Sequence, residues 1–474
     1  MIDRRELLAT AVNLGLLPNT VEKDYVLGWL LAGIFNHPAL IDKWVFKGGT
    51  CLKKCYFETY RFSEDLDFTL RDESHLNVDF LTGTFHEIST WVYEQTGIDL
   101  PPDKVYFEIF QNRRARPAAQ GRISYRGPIA PSSRDLPRIK LDLTADELLA
   151  LPPIDRPVSH PYSDAPEGGI MARCYSYEEV FAEKIRALAE RARPRDLYDV
   201  VNLFRHEEFH PAASVIHDAL AKKCTFKGIP FPTLGTFSLL QEELTADWGV
   251  MLTHQLPSLP PVEAFWSELP ALFAWIEEGR QPPHPTAFPL APGDVIIRPP
   301  AGTLFVPGMS TSAPLEVIRF SASNRLCVEL DYVDDQGNQG LRIIEPYSLR
   351  RTQAGDLVLH AVRADSQAHR SYSVDRIRGA RTTQRTFTPR YAVELTPAGP
   401  ISAPPTTYAP RAATPRTSTR SRTARHSGPT YVYQCGLCSK RFEHSKRDST
   451  LRPHKNKIGW PCSGRHGIWV DTKW

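Results

Sequence analysis

The stretch that decides the fold reads Phe46-Lys47-Gly48-Gly49-Thr50 and continues, after a short amphipathic segment, as Arg61-Phe62-Ser63-Glu64-Asp65-Leu66-Asp67-Phe68. The apolar lead-in and the alternation around the two aspartates predict short strands on either side of the Gly-Gly-Thr turn. Residues two apart in a strand point to the same face, so Asp65 and Asp67 are expected to project side by side.

This aspartate pair indicates a hard divalent cation. Two carboxylates this close repel each other and raise each other's pKa unless a cation lies between them. Mg²⁺, which prefers oxygen ligands, is the usual ion in such a pair. The Gly48-Gly49-Thr50 turn offers free backbone N–H groups where a helix is expected to begin, which is a phosphate-binding arrangement. The two features together predict a nucleotide–metal site.

Length and composition favour several domains in a reducing compartment. A chain of 474 residues predicts two to four domains, and a net charge of +3 leaves any nucleic-acid affinity to local patches. No window approaches the ~18–20 apolar residues of a membrane span, and the N-terminus does not open a signal peptide. We therefore expect a cytoplasmic protein with no membrane partner. The eight cysteines are uneven, and three crowd into the last forty residues.

The chain begins with predicted helices over residues 3–35, broken near Pro18. Within them, Glu22, Lys23 and Asp24 are interpreted as a solvated face. From 104 to 144 the pattern changes to strands, and Asp142 lies on the polar face of the last one. Asp142 is the candidate third acid of the site, although an isolated strand carboxylate is more often simply exposed to solvent.

A strong amphipathic helix is predicted over residues 177–190. Its apolar stripe consists of Tyr177, Phe181, Ile185 and Leu188. Lys184 falls inside that stripe, where a lysine either snorkels or serves a phosphate or carboxylate in a cleft. A new helix after Pro194 carries Asp196 and Asp199. Asp196 has the alternative role of complementing the positive end of its helix.

Composition shifts divide the chain into five segments. They are a first domain over 1–280 (core about 20–150, helical half about 170–280), a Pro-rich linker over 281–292, an arginine-dense β domain over 293–395, a disordered basic linker over 396–430, and a small module over 431–474. The basic linker contains five arginines between Thr396 and Gln434 and no acidic residue. It could hold a polyanion, but a plain tether is the simpler interpretation.

The last module has the ligand spacing of a zinc site. Cys435 and Cys438 form a Cys-x-x-Cys knuckle, and His454 and Cys462 follow at loop distance. This pattern matches a tetrahedral Cys₃His site, which we favour over a redox pair. A unit this short rarely folds without a metal or another staple. His444 and His466 are possible substitutes for His454.

Four blocks in the first domain resemble the AbiEii-type nucleotidyltransferase toxins of bacterial type IV toxin–antitoxin and abortive-infection systems. The blocks are Glu22-Lys-Asp-Tyr25, Lys47-Gly-Gly-Thr50, Ser63-Glu-Asp-Leu-Asp67, and Glu183-Lys184-Ile-Arg-Ala-Leu followed by Arg195-Asp-Leu-Tyr-Asp199. Their order is the family's order, and the resemblance covers roughly residues 15–280. It implies an α+β fold, in which a polymerase-β-like nucleotidyltransferase core is joined to an added helical half.

The resemblance also implies an activity and a site. Family members transfer nucleotides from an NTP to an acceptor, which is the 3′ end of tRNA in some of them. By motif, the nucleotide-binding residues would be Lys47, Gly48, Gly49, Thr50, Ser63 and Lys184. The catalytic set would be Ser63, Asp65, Asp67, Asp142, Lys184, Asp196 and Asp199, with Mg²⁺ (or Mn²⁺) at Asp65 and Asp67. A cognate antitoxin is an implied partner.

Residues about 290–395 resemble a WYL domain, an SH3-like β-barrel that senses nucleic acids or nucleotides in prokaryotic defence regulators. The similarity lies in Ile344-Glu-Pro-Tyr-Ser-Leu349, Leu357-Val-Leu-His360 and Arg370-Ser-Tyr-Ser-Val-Asp-Arg376-Ile377. The name-giving Trp-Tyr-Leu reads Leu357-Val358-Leu359 here. The implied ligand-binding residues are Arg342, His360, Arg370, Tyr372 and Arg376, and the alternative is that these are ordinary surface residues.

The leading hypothesis is Mg²⁺-dependent transfer of NMP from an NTP to an RNA acceptor, tRNA among the candidates, in a toxin–antitoxin or phage-defence system. A second reading is a WYL-type, nucleic-acid-binding regulator of a defence locus with a non-catalytic nucleotide-binding domain. A third reading is AMP or UMP transfer to protein, which uses the same site and differs only in the acceptor.

Overall fold

The structure is a computed structural model of the chain. It describes residues 1–14, 17–57, 61, 63–129, 136–206, 211–253, 255–256, 258–279, 288–289, 295–296, 312–395, 430–444, 446, 448–455 and 461–473. These residues divide between two compact units, Met1–Thr406 and Thr407–Trp474. The predicted basic linker 396–430 lies outside the described residues except for Thr430.

The first unit begins with mixed helices and strands, continues with a run of helices, and ends with a second group of strands. Its helices are α1 (Arg4–Leu14), α2 (Pro18–Asn36), α3 (Gly48–Cys51, continued by a π-helical turn, Leu52–Tyr56), α4 (Val78–Thr96), α5 (Tyr177–Arg191), α6 (Pro194–Arg205), α7 (Ala213–Lys227), α8 (Leu234–Ser238), α9 (Gln241–Leu252), α10 (Glu263–Trp266), α11 (Leu269–Glu278) and α12 (Ser312–Ser323). Its strands are β1 (Trp44–Lys47), β2 (Asp65–Leu70), β3 (Val105–Gln111), β4 (Pro117–Ser124), β5 (Arg138–Thr144), β6 (Ile154–Val158), β7 (Ile170–Cys174), β8 (Val295–Ile296), β9 (Leu326–Val333), β10 (Gln339–Arg351), β11 (Leu357–Arg363), β12 (His369–Ser373) and β13 (Ile377–Thr386).

Seven strands form one mixed sheet in the order β3-β4-β5-β2-β1-β7-β6. The pairs β2–β5 and β1–β7 are parallel, and the other neighbouring pairs are antiparallel. In β5 the apolar residues Ile139, Leu141 and Leu143 are buried, while the polar residues between them are half-buried. This period of two is the one that the sequence predicts, and the predicted α+β class is confirmed.

The apolar face of this sheet packs beneath α2 and α4. Trp44, Phe46 and Phe68 are fully buried there, with ring centroids of Trp44 and Phe46 at 5.1 and 5.4 Å from that of Phe68. Burying each such side chain stabilises the fold by about 1.5–3 kcal/mol. Because alternate residues point to opposite faces, Lys47 and Asp67 are directed away from this core.

The predicted apolar stripe of α5 is also buried. Tyr177, Phe181, Ile185 and Leu188 are at most 3% exposed. They pack in the helical half formed by α5, α6, α7, α9 and α11, which faces the polar side of the sheet and closes one wall of a cleft.

The interpretation of Glu22 and Asp24 as a solvated face is wrong. Both are buried, at 3% and 6% exposure. Glu22 Oε1 accepts a hydrogen bond from the backbone N–H of Ile129, whereas Asp24 receives Lys53 Nζ at 2.7 Å and Lys54 Nζ at 2.8 Å. Burial alone would raise the pKa of Asp24, but the two ammonium groups hold it well below its usual range.

A second sheet follows in the same unit. It is antiparallel, in the order β12-β11-β10-β9-β13, with β8 paired to β10. Its own core includes Phe288, which is 3% exposed and packs on Tyr347. Phe288 lies within the predicted linker 281–292, of which the structure describes only Phe288 and Pro289. At Phe288 the segment is therefore packed into a core instead of being an exposed linker. Phe320 and Leu326 instead join the core of the first sheet.

The second unit is small and β-rich. It contains β14 (Thr430–Cys435), β15 (Arg441–His444), β16 (His454–Lys455), β17 (Pro461–Cys462) and β18 (Gly467–Lys473). The first, second and last of these form a three-stranded antiparallel sheet, and the other two form a pair. Across the described part of the chain, no helix has the length and apolar character needed to cross a membrane.

Replacing Asp24 by alanine is expected to destabilise the first unit by about 3–5 kcal/mol, because two buried ammonium groups lose their carboxylate. Urea denaturation at pH 7 measures the effect. The control is Glu64→Ala, which removes the 47%-exposed partner of Lys23 and should cost no more than about 1 kcal/mol. Equal costs for the two variants would contradict this account of Asp24.

Candidate active site

Strand register brings the predicted aspartates together on the polar face of the first sheet. Lys47 on β1 pairs with Asp67 on β2, and Asp67 pairs in turn with Asp142 on β5. Residues directly opposite in adjacent strands share a face. Lys47, Asp67 and Asp142 therefore form one row, and Asp65 forms a second row with Lys140.

The glycine turn lies against this row. Gly48 has φ +81°, in the left-handed region that favours glycine, and a Cβ there would lie 2.1 Å from Asp67 Oδ2. A Cβ on Gly49 would lie 2.6 Å from Arg61 Nη2 and 3.0 Å from Ser63 Oγ. The missing side chains therefore let the backbone approach the carboxylate and the residues that precede β2.

A cleft of about 300 Å³ lies between the sheet and the helical half. Its floor contains most of the residues expected at the site: Lys47, Gly48, Gly49, Ser63, Asp65, Asp67 and Asp142. Its opposite wall comes from α5, α6 and the connection between them: Lys184, Arg186, Arg191, Arg193, Arg195 and Asp196. An acidic floor thus faces a basic wall, which suits a ligand that carries both anionic groups and a bound cation.

Two of the predicted site residues do not reach the cleft. Thr50 is fully buried, and its hydroxyl donates a hydrogen bond to the main-chain oxygen of Asp65. Asp199 is also fully buried, and its two oxygens receive Arg61 Nε and Nη2 at 2.7 Å each. Thr50 therefore braces the start of β2, and Asp199 anchors Arg61.

Lys184 is the buried lysine that the helical pattern singled out. Its Nζ lies 2.7 Å from Asp199 Oδ2 and 3.2 Å from Asp196 Oδ1. Burial would raise the pKa of Asp199, but Arg61 and Lys184 lower it far below its usual range. Asp199 is thus a permanent anion that orients two cations, and Lys184 serves carboxylates at the edge of the cleft.

Arg193 and Arg195 lie in the cleft wall at the start of α6, where Arg193 is the N-cap residue. Cations are unfavourable at the positive end of a helix. Arg195 Nε is buried and has no hydrogen-bond partner among the described residues. The sequence already indicated these two arginines, because Arg193-Pro194-Arg195 begins a helix and places two positive charges at its positive end.

Crowding changes the acidity of the floor. Burial, together with the negative charge of Asp142, raises the pKa of Asp67 to about 6. Burial also raises the pKa of Asp65, against the opposing influence of Lys140 and Lys23. Groups whose ionised form is disfavoured in this way are stabilised as anions when a cation binds beside them.

The donor set fits a hard cation. Asp65, Asp67 and Asp142 offer only oxygen ligands, and Asp142 is held by Lys140 Nζ at 2.6 Å and Gln120 Nε2 at 3.3 Å. Among the described residues, two groups of potential metal ligands converge to within 4.8 Å, and both contain cysteine. The carboxylate oxygens of Asp65, Asp67 and Asp142 do not all lie within that distance of one another. Mg²⁺ keeps several water ligands and tolerates such spacing.

Three of the five predicted WYL residues lie near one another. Arg370 and Tyr372 share a face of β12, and Tyr372 contacts the ring of Tyr332 at 5.0 Å between centroids. Arg342 lies 5.4 Å from the Tyr332 ring centre. The Tyr372 hydroxyl is buried without a hydrogen-bond partner in the described part of the chain, and the charges of Arg342 and Arg370 act on it.

The other two WYL residues lie elsewhere. His360 pairs in register with Ser371 and points to the opposite face from Arg370, where its Nδ1 lies 3.1 Å from Ser371 Oγ. Arg376 forms an ion pair with Asp335. The three sequence blocks that resemble a WYL domain therefore lie on neighbouring strands. The five residues predicted from them do not form one contiguous set of side chains.

In the second unit, Cys435, Cys438, His454 and Cys462 converge, with their ligand atoms within 4.8 Å of one another. Cys438 Sγ lies 3.3 Å from His454 Nε2, and Cys435 Sγ lies 3.8 Å from Cys462 Sγ. His454 Nδ1 lies 2.9 Å from the carbonyl of Arg452, the kind of partner that orients a metal-binding imidazole. His444 and His466 are not in the cluster.

A sheet that presents paired aspartates beside a glycine turn, opposite a basic wall, is suited to binding a nucleotide together with a metal ion. The profile of the nucleotidyl transferase AbiEii toxins of type IV toxin–antitoxin systems matches residues 29–276. The chain belongs to this AbiEii family, and it is a nucleotidyltransferase. The WYL domain profile matches residues 314–382.

One solved structure similar to the chain is MenT4, a nucleotidyltransferase toxin from Mycobacterium tuberculosis H37Rv. The sequences are 20% identical, the match covers 57% of this chain and 88% of the other, and the TM-score is 0.34. A comparison with curated protein sequences finds no significant match.

The raised pKa of Asp67 makes a pH-dependent prediction. A carboxyl whose pKa is 3.8 when unfolded and about 6 when folded binds protons more tightly in the native state. The free energy of unfolding therefore falls as pH rises from about 4 to about 6. In the absence of divalent ions, Asp67→Asn should remove a penalty on the order of 2–3 kcal/mol at pH 7.

Thermal unfolding from pH 4 to 8, with and without Mg²⁺, measures this effect. Wild type should be stabilised by Mg²⁺ above pH 6, and Asp67→Asn should lose most of that stabilisation. The control Asp103→Asn changes a 75%-exposed carboxylate and should behave as wild type. A wild-type stability that rises between pH 4 and 6 without Mg²⁺, or a Mg²⁺ stabilisation that Asp67→Asn keeps in full, would refute the assignment.

Gly48→Ala tests the close approach of the turn. Its Cβ would overlap Asp67 Oδ2, so the turn or the carboxylate must move, and nucleotidyl transfer should fall by about 100-fold or more. Gly97→Ala is the matched control, because Gly97 also has positive φ (+78°) but has open space around its Cβ. It should cost about 1–2 kcal/mol of stability and retain activity; equal losses of activity would contradict the prediction.

Proposed function

We propose that this enzyme transfers NMP from an NTP to an RNA acceptor in a Mg²⁺-dependent reaction, as the toxin of a toxin–antitoxin or phage-defence system. One observation carries the proposal. Asp65, Asp67 and Asp142 lie on adjacent strands beneath the Gly48-Gly49 turn and face the basic wall of α5 and α6. A nucleoside triphosphate with a bound cation matches that distribution of charge.

Asp65 and Asp67 would hold Mg²⁺ (or Mn²⁺) on the floor of the cleft. When bound, the ion neutralises phosphate oxygens and offsets the burial and the repulsion from Asp142 that together raise the pKa of Asp67. The Gly48 and Gly49 backbone, with Lys47 and Ser63 beside it, would bind the phosphates. Lys47 Nζ lies 3.6 Å from Glu147 Oε1, which keeps its ammonium group beside the aspartate row.

The basic wall would hold the remaining phosphate charge. Lys184 forms ion pairs with Asp196 and Asp199, which hold its ammonium group at the cleft. Arg193 and Arg195 add two further cations. The Nε of Arg195 has no hydrogen-bond acceptor among the described residues. Fixed cations of this kind stabilise the negative charge that develops on the departing pyrophosphate.

Asp142 is the residue we assign to the acceptor. The acceptor hydroxyl oxygen bonds to the α-phosphorus, the bond from that phosphorus to the bridging oxygen breaks, and pyrophosphate leaves. Asp142 would orient and deprotonate the attacking hydroxyl. Asp199 is a poor candidate for this step, because it is fully buried and already paired with Arg61 and Lys184.

An RNA acceptor is supported by the basic C-terminal region. Residues 431–474 contain nine lysines and arginines against three acidic residues, and the preceding segment adds five arginines. Such an excess attracts a polyphosphate backbone. Zn²⁺ bound by Cys435, Cys438, His454 and Cys462 would keep this small unit folded. A tRNA 3′ end is the acceptor we expect, and a cognate antitoxin is the expected protein partner.

The second sheet would supply a separate ligand site. Arg342 and Arg370 beside the buried Tyr372 hydroxyl offer two cations and one unused hydrogen-bonding group. A nucleic acid or nucleotide phosphate fits this set. His360 and Arg376 would act outside it, because one faces the opposite side of the sheet and the other is paired with Asp335.

The test incubates the full chain with each α-labelled NTP, Mg²⁺ and total RNA, and separates RNA from protein before the label is counted. Wild type should label RNA with at least one NTP, and a γ-labelled NTP should leave no label. Asp65→Ala should lower transfer by about 100-fold or more, because the metal ligand is lost. Arg195→Ala should raise KM for the NTP by about tenfold.

The control Asp103→Ala removes an exposed carboxylate and should leave transfer unchanged. Label found in protein instead of RNA would replace the RNA acceptor with a protein one. Absence of label with every NTP, or equal transfer by wild type and Asp65→Ala, would overturn the proposal.

A further inference from the structure

Three cysteines meet behind the nucleotide-binding turn. Cys51 ends α3, Cys55 lies in the π-helical turn, and Cys174 ends β7, and their sulfur atoms lie within 4.8 Å of one another. They are 0%, 3% and 0% exposed. This cluster belongs to the first unit and shares no residue with the Cys435 cluster of the second unit.

The fold explains the convergence. β1 and β7 are parallel neighbours with Phe46 opposite Cys174, and α3 begins directly after β1. The end of α3 therefore returns over the end of β7. Cys51 and Cys55 are four residues apart, so a helical backbone presents both on one side. The backbone N–H of Phe57 bonds to Leu52 O at 2.7 Å, which closes a π turn, a rare element that is frequent at functional sites.

Two explanations of such a cluster differ in geometry. A lone buried cysteine packs as a small hydrophobic group, and it needs no other thiol nearby. A thiolate metal site needs several sulfurs around one point, and a metal–sulfur bond of about 2.3 Å places three sulfurs in a plane about 4 Å apart. The three sulfur atoms, all within 4.8 Å of one another, surround one point as the second case requires.

The surroundings also suit a soft cation. Arg156 Nε donates to the main-chain oxygen of Cys55 at 3.0 Å, and its guanidinium lies 4.5 Å from the ring centre of Tyr56. Three thiolates leave a net charge of −1 with a divalent ion and −2 with a monovalent ion, and this guanidinium offsets one of those negative charges. Within the described ranges, no carboxylate or imidazole joins the three sulfurs at that distance. Hard, oxygen-preferring ions are thereby disfavoured.

We propose that Cys51, Cys55 and Cys174 bind a thiophilic metal ion of the Zn²⁺ or Cu⁺ type. Three thiol protons are released as the three metal–sulfur bonds form, and no oxidant is needed. The ion would join α3, the π turn and β7 immediately behind Gly48 and Gly49. Thr50, the neighbour of Cys51, holds the start of β2 through Asp65, so the ion would also stiffen the strand that carries the aspartates.

The test counts bound metal on the full, reduced chain. Samples are loaded separately with Zn²⁺ and with Cu⁺ under anaerobic conditions, exchanged into a weak chelator, and analysed for metal per chain. Wild type should retain two equivalents of at least one ion. The double variant Cys438→Ser/His454→Ala should retain one, and adding Cys55→Ala or Cys174→Ala to it should leave none.

Three control variants separate the sites. Cys224→Ala and Cys327→Ala each remove a buried thiol outside both clusters and should leave the metal count unchanged. His466→Ala should also leave it unchanged. Retention of one equivalent after both clusters are disrupted, or loss of one equivalent in Cys224→Ala, would overturn the inference.

A second measurement does not depend on variants. Mass spectrometry after alkylation of the unfolded, metal-loaded and metal-free chains reports each thiol. The metal site requires all three thiols in the reduced state, so a disulfide between any two of them in freshly purified protein would overturn it. Because all three thiols are buried, alkylation is compared in partly denaturing urea, where bound ion should slow the reaction of Cys51, Cys55 and Cys174 relative to the metal-free chain and leave that of Cys224 unchanged.

The effect on catalysis rests on the proposed function, but the metal count does not. If wild type holds two equivalents and transfers no nucleotide, the metal site stands and the proposed reaction fails. If wild type transfers nucleotide but holds only the equivalent bound by the Cys435 cluster, the inference fails and the proposed reaction stands. In the case where both stand, removing the first-unit ion should raise KM for the NTP at least threefold.

Discussion

The pairing of β1, β2 and β5 is the constraint on which the site depends. It places Lys47, Asp67 and Asp142 in one row across three strands, with Asp65 in the next row. Isolated carboxylates would move apart, but these cannot, because Phe46 and Phe68 on the other face are buried in the core. A slip of one residue would expose those rings and turn the aspartates into the core. The hydrophobic core therefore fixes the acidic site.

The opposite wall is built from buried ion pairs instead. Arg61, Lys184 and Asp199 form a network in which the carboxylate is fully buried. Such a network adds little net stability compared with apolar packing, because desolvation offsets much of the attraction. Its role is geometric. It holds two cations at fixed positions beside the cleft: Arg61, which precedes β2, and Lys184, which lies on α5. The same logic applies to Asp24 with Lys53 and Lys54.

Much of the fold and the floor of the site could be predicted from the sequence. Strand alternation around Asp65 and Asp67 gave the correct strand and face, and the misplaced Lys184 marked the correct helix face. The sequence did not predict which side chains form ion pairs with one another. A pattern states which face a side chain is on, but Asp199 finds Arg61 at a separation of 138 residues, and no local period encodes that contact. The prediction that Glu22 and Asp24 are exposed to solvent was wrong for the same reason, because their partners lie in other segments of the chain.

Helix α6 connects the two sheets of the first unit. Its N-terminal turn supplies Arg195 and Asp196 to the cleft. Further along, Asn202 and Arg205 line a small crevice that is completed by Ser323 and Leu395 at the second sheet. Phe320 and Leu326, which flank the end of α12, lie in the core of the first sheet. The C-terminal part of α6 and the end of α12 therefore line the same crevice, whereas the basic wall lies at the opposite, N-terminal end of α6.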